Sequence, residues 1–167
     1  MNKEVMFSSS RDDWETPQEF FKQLDQEFHF TLDAAASDAN HKCEKYYTEK
    51  ENGLIRDWSG ETVFCNPPYS RKNNQQDQWV EKCYKESQKP GTTVVLLIPA
   101  RTDTERFHDY ILGKGEVRFI KGRLAFEIGG RPILDSKGKP SKAPFPSMIV
   151  IYRRDEEWHG IWRIKYD

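Results

Sequence analysis

The sequence predicts an α/β domain built on a mostly parallel sheet with helices on both faces. Three observations carry this. Short apolar runs alternate with helix-period segments over the first two thirds of the chain. Thr92 to Pro99, TTVVLLIP, is the most hydrophobic run and reads as a central strand buried on both faces. Beyond Gly115 the alternation changes to a β-rich end, which predicts an antiparallel edge on the sheet. With 167 residues the chain has room for one domain with a substantial core, residues 1–167, and not for two.

Residues 1 to 13 are polar and read as a flexible arm. Thr16-Pro17-Gln18-Glu19 is a capping box with proline at the first helical position. Phe20, Phe21, Leu24 and Phe28 follow at helical spacing, which predicts a helix to about Phe28. Phe30 to Ala36 reads as a buried strand running into small residues, and Ser37-Asp38 as the cap of a second helix through Tyr47. Asn52-Gly53 and Ser59-Gly60 mark turns before the strand Thr62 to Cys65. Asp77 caps a predicted helix to about Gln88, with Trp79, Val80, Cys83 and Tyr84 on its inner face. Thr102 to Glu105 is a second capping box, opening a helix to about Leu112 that Gly113 ends. Glu116 to Ile120 and Arg123 to Ile128 alternate as strands. Gly129 to Ala143 reads as a long basic loop, Ser147 to Tyr152 as a core strand and Trp158 to Tyr166 as a final edge strand.

Composition excludes several classes. A net charge of −1 is unsuited to coating a polyanion, so any nucleic-acid contact rests on local basic patches. Cys43, Cys65 and Cys83 are odd in number and widely spaced, which suits neither a disulfide framework nor a zinc site and fits a reducing cytoplasm. No apolar run reaches the ~18 residues of a membrane span, and the N-terminus lacks the apolar stretch of a signal peptide.

The most specific stretch is TVFCNPPYS, Thr62 to Ser70. A short apolar strand stops at Asn66-Pro67-Pro68-Tyr69, where two prolines forbid both helix and further pairing. The turn offers carbonyl acceptors and the Asn66 amide with few competing donors, which suits a donor-only group such as an exocyclic NH2. Tyr69 adds a flat face for stacking. The turn also sits at a strand end, where ligands bind in open α/β sheets. Asp33-Ala34-Ala35-Ala36 lets backbone approach a ligand closely at a second strand end. Asp57-Trp58 pairs a carboxylate acceptor with an indole, though a capping Asp and a buried Trp explain the pair equally well.

Thr16-Pro17, DAAAS, DW, CNPPYSR, LLIPARTDTERFHDY, RFIKGRLAF and PFPSMIVIYR together resemble the phage-type, Dam-like DNA N6-adenine methyltransferases over nearly the whole chain. The resemblance implies a class I, Rossmann-like methyltransferase fold, with S-adenosylmethionine as donor, S-adenosylhomocysteine as product and no metal. It implies that Asn66, Pro67, Pro68 and Tyr69 form the catalytic motif. It further implies that Thr16, Pro17, Asp33, Ala34, Ala35, Asp57, Trp58 and Asn66 hold the cofactor. The chain departs from the wider superfamily in lacking a G-x-G turn after Leu32, where Ala34-Ala35-Ala36 stands instead. Glu49 and Glu51 are both candidates for the cofactor's ribose hydroxyls. No separate target-recognition domain is expected, and the oligomeric state is expected to be monomer or weak homodimer.

The partner expected is double-stranded DNA with the target adenine flipped out. Its backbone would meet Arg71, Lys72, Arg101, Arg123 and Lys139, which lie near strand ends or on the basic loop. Expected cytoplasmic action in a host fits a phage or prophage enzyme of restriction-modification type. Because Asn-Pro-Pro-Tyr suits any planar NH2, RNA or protein glutamine is an alternative substrate, and an inactive DNA-binding relative is the alternative class.

Overall fold

The computed structural model of the chain describes residues 14–69, 75–154 and 161–164. In chain order its elements are α1 (Gln18–Phe28), β1 (Leu32–Asp33), a 3-10 turn (Gly53–Ile55), β2 (Thr62–Cys65), α2 (Gln75–Ser87), β3 (Thr93–Pro99), α3 (Glu105–Tyr110), β4 (Glu116–Ile120), β5 (Glu127–Ile128), β6 (Arg131–Pro132), β7 (Ser147–Arg153) and β8 (Ile161–Ile164). Six strands form one sheet in the order β1-β2-β3-β7-β4-β8, while β5 and β6 form a separate hairpin. β1, β2 and β3 run parallel. β7 is antiparallel to both β3 and β4, and β8 is parallel to β4. Five strands therefore share one direction and β7 alone opposes them.

In place of the predicted antiparallel edge, the reversed strand lies inside the sheet, and the edges are β1 and β8. The sequence SMIVIY explains this. Every residue from Ser147 to Tyr152 is buried, which requires a neighbouring strand on each side and cover on each face. β3 matches it across seven pairs, from Thr93–Arg153 to Pro99–Ser147.

Successive residues of the central strands feed opposite faces. One face packs Val94, Leu96, Ile98, Val150 and Tyr152 against Trp79, Val80 and Cys83 of α2 and Phe107 of α3. The other packs Phe64, Val95, Leu97 and Ile149 against Phe20, Phe21 and Leu24 of α1 and against Leu124, Phe126 and Ile133. Each fully buried Phe or Leu removes enough apolar surface for roughly 2 kcal/mol.

Several predicted elements take another form. The capping box at Thr16 is absent: Pro17 is the N-cap residue of α1, with no side-chain cap bond. The α3 cap is Thr104 rather than Thr102, its hydroxyl accepting from Phe107 N. Asp77 sits within the first turn of α2 and binds Arg106. The predicted helix over 37–47 is absent. Asp33 N donates to the Lys45 carbonyl and Tyr47 N to the Asp33 carbonyl, so the segment runs beside β1 and covers an otherwise open sheet edge. The basic loop is folded. β5 and β6 pair, Leu134 bridges Pro140, and Ala143 N donates to the Leu124 carbonyl. No helix among the described residues is long and apolar enough to cross a membrane.

Candidate active site

Because β7 runs backwards, the carboxyl ends of β1, β2, β3 and β4 and the start of β7 meet along one edge. Asn66 to Tyr69 leave β2 there. Asn66 and Pro68 are half-buried, and Pro67 and Tyr69 are buried. Asn66 Nδ2 donates to the Trp14 carbonyl at 2.8 Å. A carbonyl can only accept, so the amide's orientation is set: Oδ1 faces away and accepts from the Tyr69 hydroxyl at 2.7 Å. Among the described residues Oδ1 accepts only from Tyr69, which leaves its second lone pair for an incoming N–H.

Tyr69 does not present an open ring. It is 8% exposed and meets Phe126 and Phe145 edge-to-face, with ring centroids 5.9 and 5.6 Å away. Trp14 closes the cluster against the same two phenylalanines. Of these four only Phe145 is half-exposed. Burial pushes the Tyr69 hydroxyl well above the ordinary phenol range, so it donates as a neutral group at any working pH.

Thr16 and Pro17 lie beside this cluster, both buried. The Thr16 hydroxyl is 2% exposed and, with Ser147 Oγ, is one of the buried side-chain oxygens without a partner among the described residues. An unsatisfied buried hydroxyl costs on the order of 1–3 kcal/mol. At the end of β1, Asp33 is 4% exposed, and burial raises its carboxyl to about 6 despite amide donation from Lys42 at 2.9 Å and Ala35 at 3.3 Å. Ala34 is buried and Ala35 half-buried. A Cβ on Gly53 would lie 2.3 Å from the Ala34 carbonyl, so the turn after Asn52 presses against this strand end and only glycine fits.

Asp57 and Trp58 do not join the cluster. They precede β2, at the opposite end of the parallel strands from Asn66. Asp57 is exposed, pairs with Lys89 at 2.8 Å and accepts from the Ser59 hydroxyl, which lower its carboxyl below the usual range. Trp58 is fully buried, its indole N–H donating to the Gly53 carbonyl at 3.1 Å. The capping and core alternative therefore describes this pair, and the indole has no free face for a purine. Trp58 acts one layer back by fixing Gly53 under Ala34. Glu51 is engaged as well, accepting from Thr48 N at 2.9 Å, while Glu49 is exposed.

Arg101 and Arg123 are exposed and follow β3 and β4, so both lie on the Asn66 edge. Among the described residues Arg101 makes no ion pair with Asp103 or Glu105. Lys139 is exposed on the folded loop between β4 and β7, which returns to the same edge, together with Arg131, Lys137 and Lys142. Arg71 and Lys72 lie outside the described residues.

The family model described as DNA N-6-adenine-methyltransferase (Dam) matches residues 4–165. The chain belongs to that family. A relative from Haemophilus phage HP1, a DNA N-6-adenine-methyltransferase, is 30% identical over 165 residues, covering 91% of this chain and 92% of its own length. Another of the same name, from Escherichia phage T1, is 35% identical over 122 residues, covering 72% of this chain. This chain spans about half the length of that T1 relative, 49%. Around the Asn66 turn, Trp14, Glu15, Phe126 and Phe145 are site residues that the sequence does not single out. Their signal is tertiary: isolated aromatics and one acidic residue, with no periodicity to mark a shared site.

Proposed function

We propose that this chain transfers a methyl group from S-adenosylmethionine to N6 of a flipped-out adenine in duplex DNA, on a class I methyltransferase fold. The observation that carries the proposal is the fixed Asn66 amide. Among the described residues its Oδ1 takes only the Tyr69 hydroxyl, which leaves an acceptor site next to Pro67 at the carboxyl edge of the sheet. The residues present also fit the donor. The buried, unpartnered Thr16 hydroxyl beside Pro17 offers a polar partner, and small Ala34 and Ala35 after Asp33 allow close approach. When bound there, S-adenosylmethionine supplies an electrophilic methyl and leaves as S-adenosylhomocysteine.

Asn66 Oδ1 and the Pro67 carbonyl accept the two amine protons of adenine. Acceptors held off the ring plane draw the nitrogen lone pair out of conjugation, which makes N6 nucleophilic. Tyr69 holds Asn66 by its hydroxyl, and its ring stacks on the base once Phe145 moves aside. The amine proton turns acidic on methylation and leaves to solvent, so no strong base is needed. Arg101, Arg123 and Lys139, with Arg71 and Lys72, meet the DNA backbone. Asn66→Ala is the direct test. Turnover is expected to fall by about 100-fold or more, while cofactor affinity by titration changes far less. Near-normal methylation by that variant would refute the mechanism.

A further inference from the structure

Residues 14–18 cross the site as a strap, and Glu15 fastens it to the β5–β6 hairpin. Glu15 and Glu127 exchange backbone bonds, Glu15 N to the Glu127 carbonyl at 3.1 Å and Glu127 N to the Glu15 carbonyl at 2.9 Å. The Glu15 carboxylate then reaches the hairpin turn, where Oε1 accepts from Gly129 N at 3.0 Å and Oε2 from Gly130 N at 2.9 Å. Both glycines have left-handed backbone, φ 60° and 72°. Such a turn aims successive amides to one side and forms a cradle for an anion. The carbonyl immediately before Glu15, that of Trp14, is the one that takes Asn66 Nδ2. Gln18 N adds a contact to Glu127 Oε1 at 3.4 Å, and Lys42 Nζ reaches Gln18 Oε1 at 2.8 Å.

We propose that Glu15 is a positioning residue for methyl transfer. Its clamp on the Gly129-Gly130 amides fixes the Trp14 carbonyl, and that carbonyl decides which way the Asn66 amide faces. Without the clamp the strap shifts, Nδ2 loses its partner, and the amide can turn its amino group toward the base, where it repels the adenine N–H donors. The hairpin on the basic edge and the catalytic amide are thereby one hydrogen-bonded unit. The inference rests on the function proposed above.

The test measures single-turnover methylation of duplex DNA at saturating enzyme, with cofactor and duplex dissociation constants measured separately. For Glu15→Ala the rate at saturating cofactor is expected to fall about 10- to 100-fold, as a displacement near 1 Å does, with the duplex dissociation constant within about threefold of wild type and cofactor affinity, because Thr16 shares the strap, weakened by less than the rate. Glu15→Gln keeps the length and one acceptor oxygen but sets an NH2 against a backbone N–H. It provides a folded comparison should the alanine variant unfold, and its rate is expected to fall about threefold or more. A rate within about twofold of wild type for the tested variant, or a rate loss matched by equal weakening of cofactor and duplex binding, overturns the positioning role. If wild-type protein leaves adenine unmethylated, the proposed function itself fails and this role falls with it. Active wild type with indifferent variants sinks the role of Glu15 alone.

Discussion

Asn66 and Asp33 show how differently two polar residues at strand ends are governed. Asn66 is held from both sides of its amide, by the Trp14 carbonyl and the Tyr69 hydroxyl. Tyr69→Phe removes one hold and leaves the ring packed on Phe126 and Phe145. It is expected to cost about 1 kcal/mol of stability, the net worth of one such bond, and to lower turnover without abolishing it. Denaturant unfolding beside a methylation assay checks both. Asp33 is held by burial instead, which raises its carboxyl from 3.8 to about 6. The folded state then binds this proton more tightly than the unfolded one. The associated stability is fully present below about pH 4 and is lost as pH rises through about 6. The difference of about 2 pH units corresponds to about 3 kcal/mol. Wild type is expected to lose about that much more than Asp33→Asn between acid and neutral pH by denaturant unfolding, and equal losses would contradict it. The Asn66 turn was legible because two prolines restrict the backbone to a few shapes. The closed state of Tyr69 was not, because its cover comes from Phe126 and Phe145, remote in sequence.

Among the elements, the loops carry as much organisation as the helices. Residues 37–47 look helical by a good cap and a plausible inner face, yet the open edge of β1 and the Asp33 carboxylate claim their amides first. Local propensity is a weak prior against a sheet edge that needs partners. The DW segment is a second case. Glu86 of α2 is 4% exposed, accepts from Trp58 N at 2.9 Å and pairs with Lys82 and Lys89, which hold it ionised despite burial. Glu86→Ala strands the buried Trp58 amide, while Lys82 keeps the Arg56 carbonyl and Lys89 keeps Asp57, and is expected to destabilise by about 2 kcal/mol. Thermal or denaturant unfolding checks this. Gly53→Ala puts a methyl 2.3 Å from the Ala34 carbonyl. It is expected to cost about 2 kcal/mol or more and to weaken cofactor binding at the β1 end. Unchanged affinity by titration would show that this strand end does not hold the cofactor. From sequence alone, Asn52-Gly53 marked a turn but gave no sign of what the glycine faces.

At the scale of the whole molecule, alternation and apolar runs made the mostly parallel sheet legible. The place of β7 was not, because a strand's direction is set by pairing rather than by its own residues. That place matters to function. An interior reversed strand brings the chain from β4 to β7 back across the carboxyl edge, so the basic residues of 121–142 share an edge with Asn66. Under the proposed function, a protein of net charge −1 would meet DNA through that edge. Arg101→Ala is expected to weaken duplex binding for all sequences alike and to reduce the slope of log affinity against log salt by about 0.9. An unchanged slope would remove Arg101 from the interface. The central claim concerns the acceptor of the methyl group. Wild-type protein and Asn66→Ala are each incubated with isotope-labelled S-adenosylmethionine and, in separate reactions, duplex DNA, RNA or protein, and the products are digested and resolved by mass spectrometry. Label in N6-methyladenine from duplex DNA, present with wild type and nearly absent with Asn66→Ala, is the result expected. Label confined to RNA or to glutamine, no label in adenine, or equal label from both proteins would contradict it.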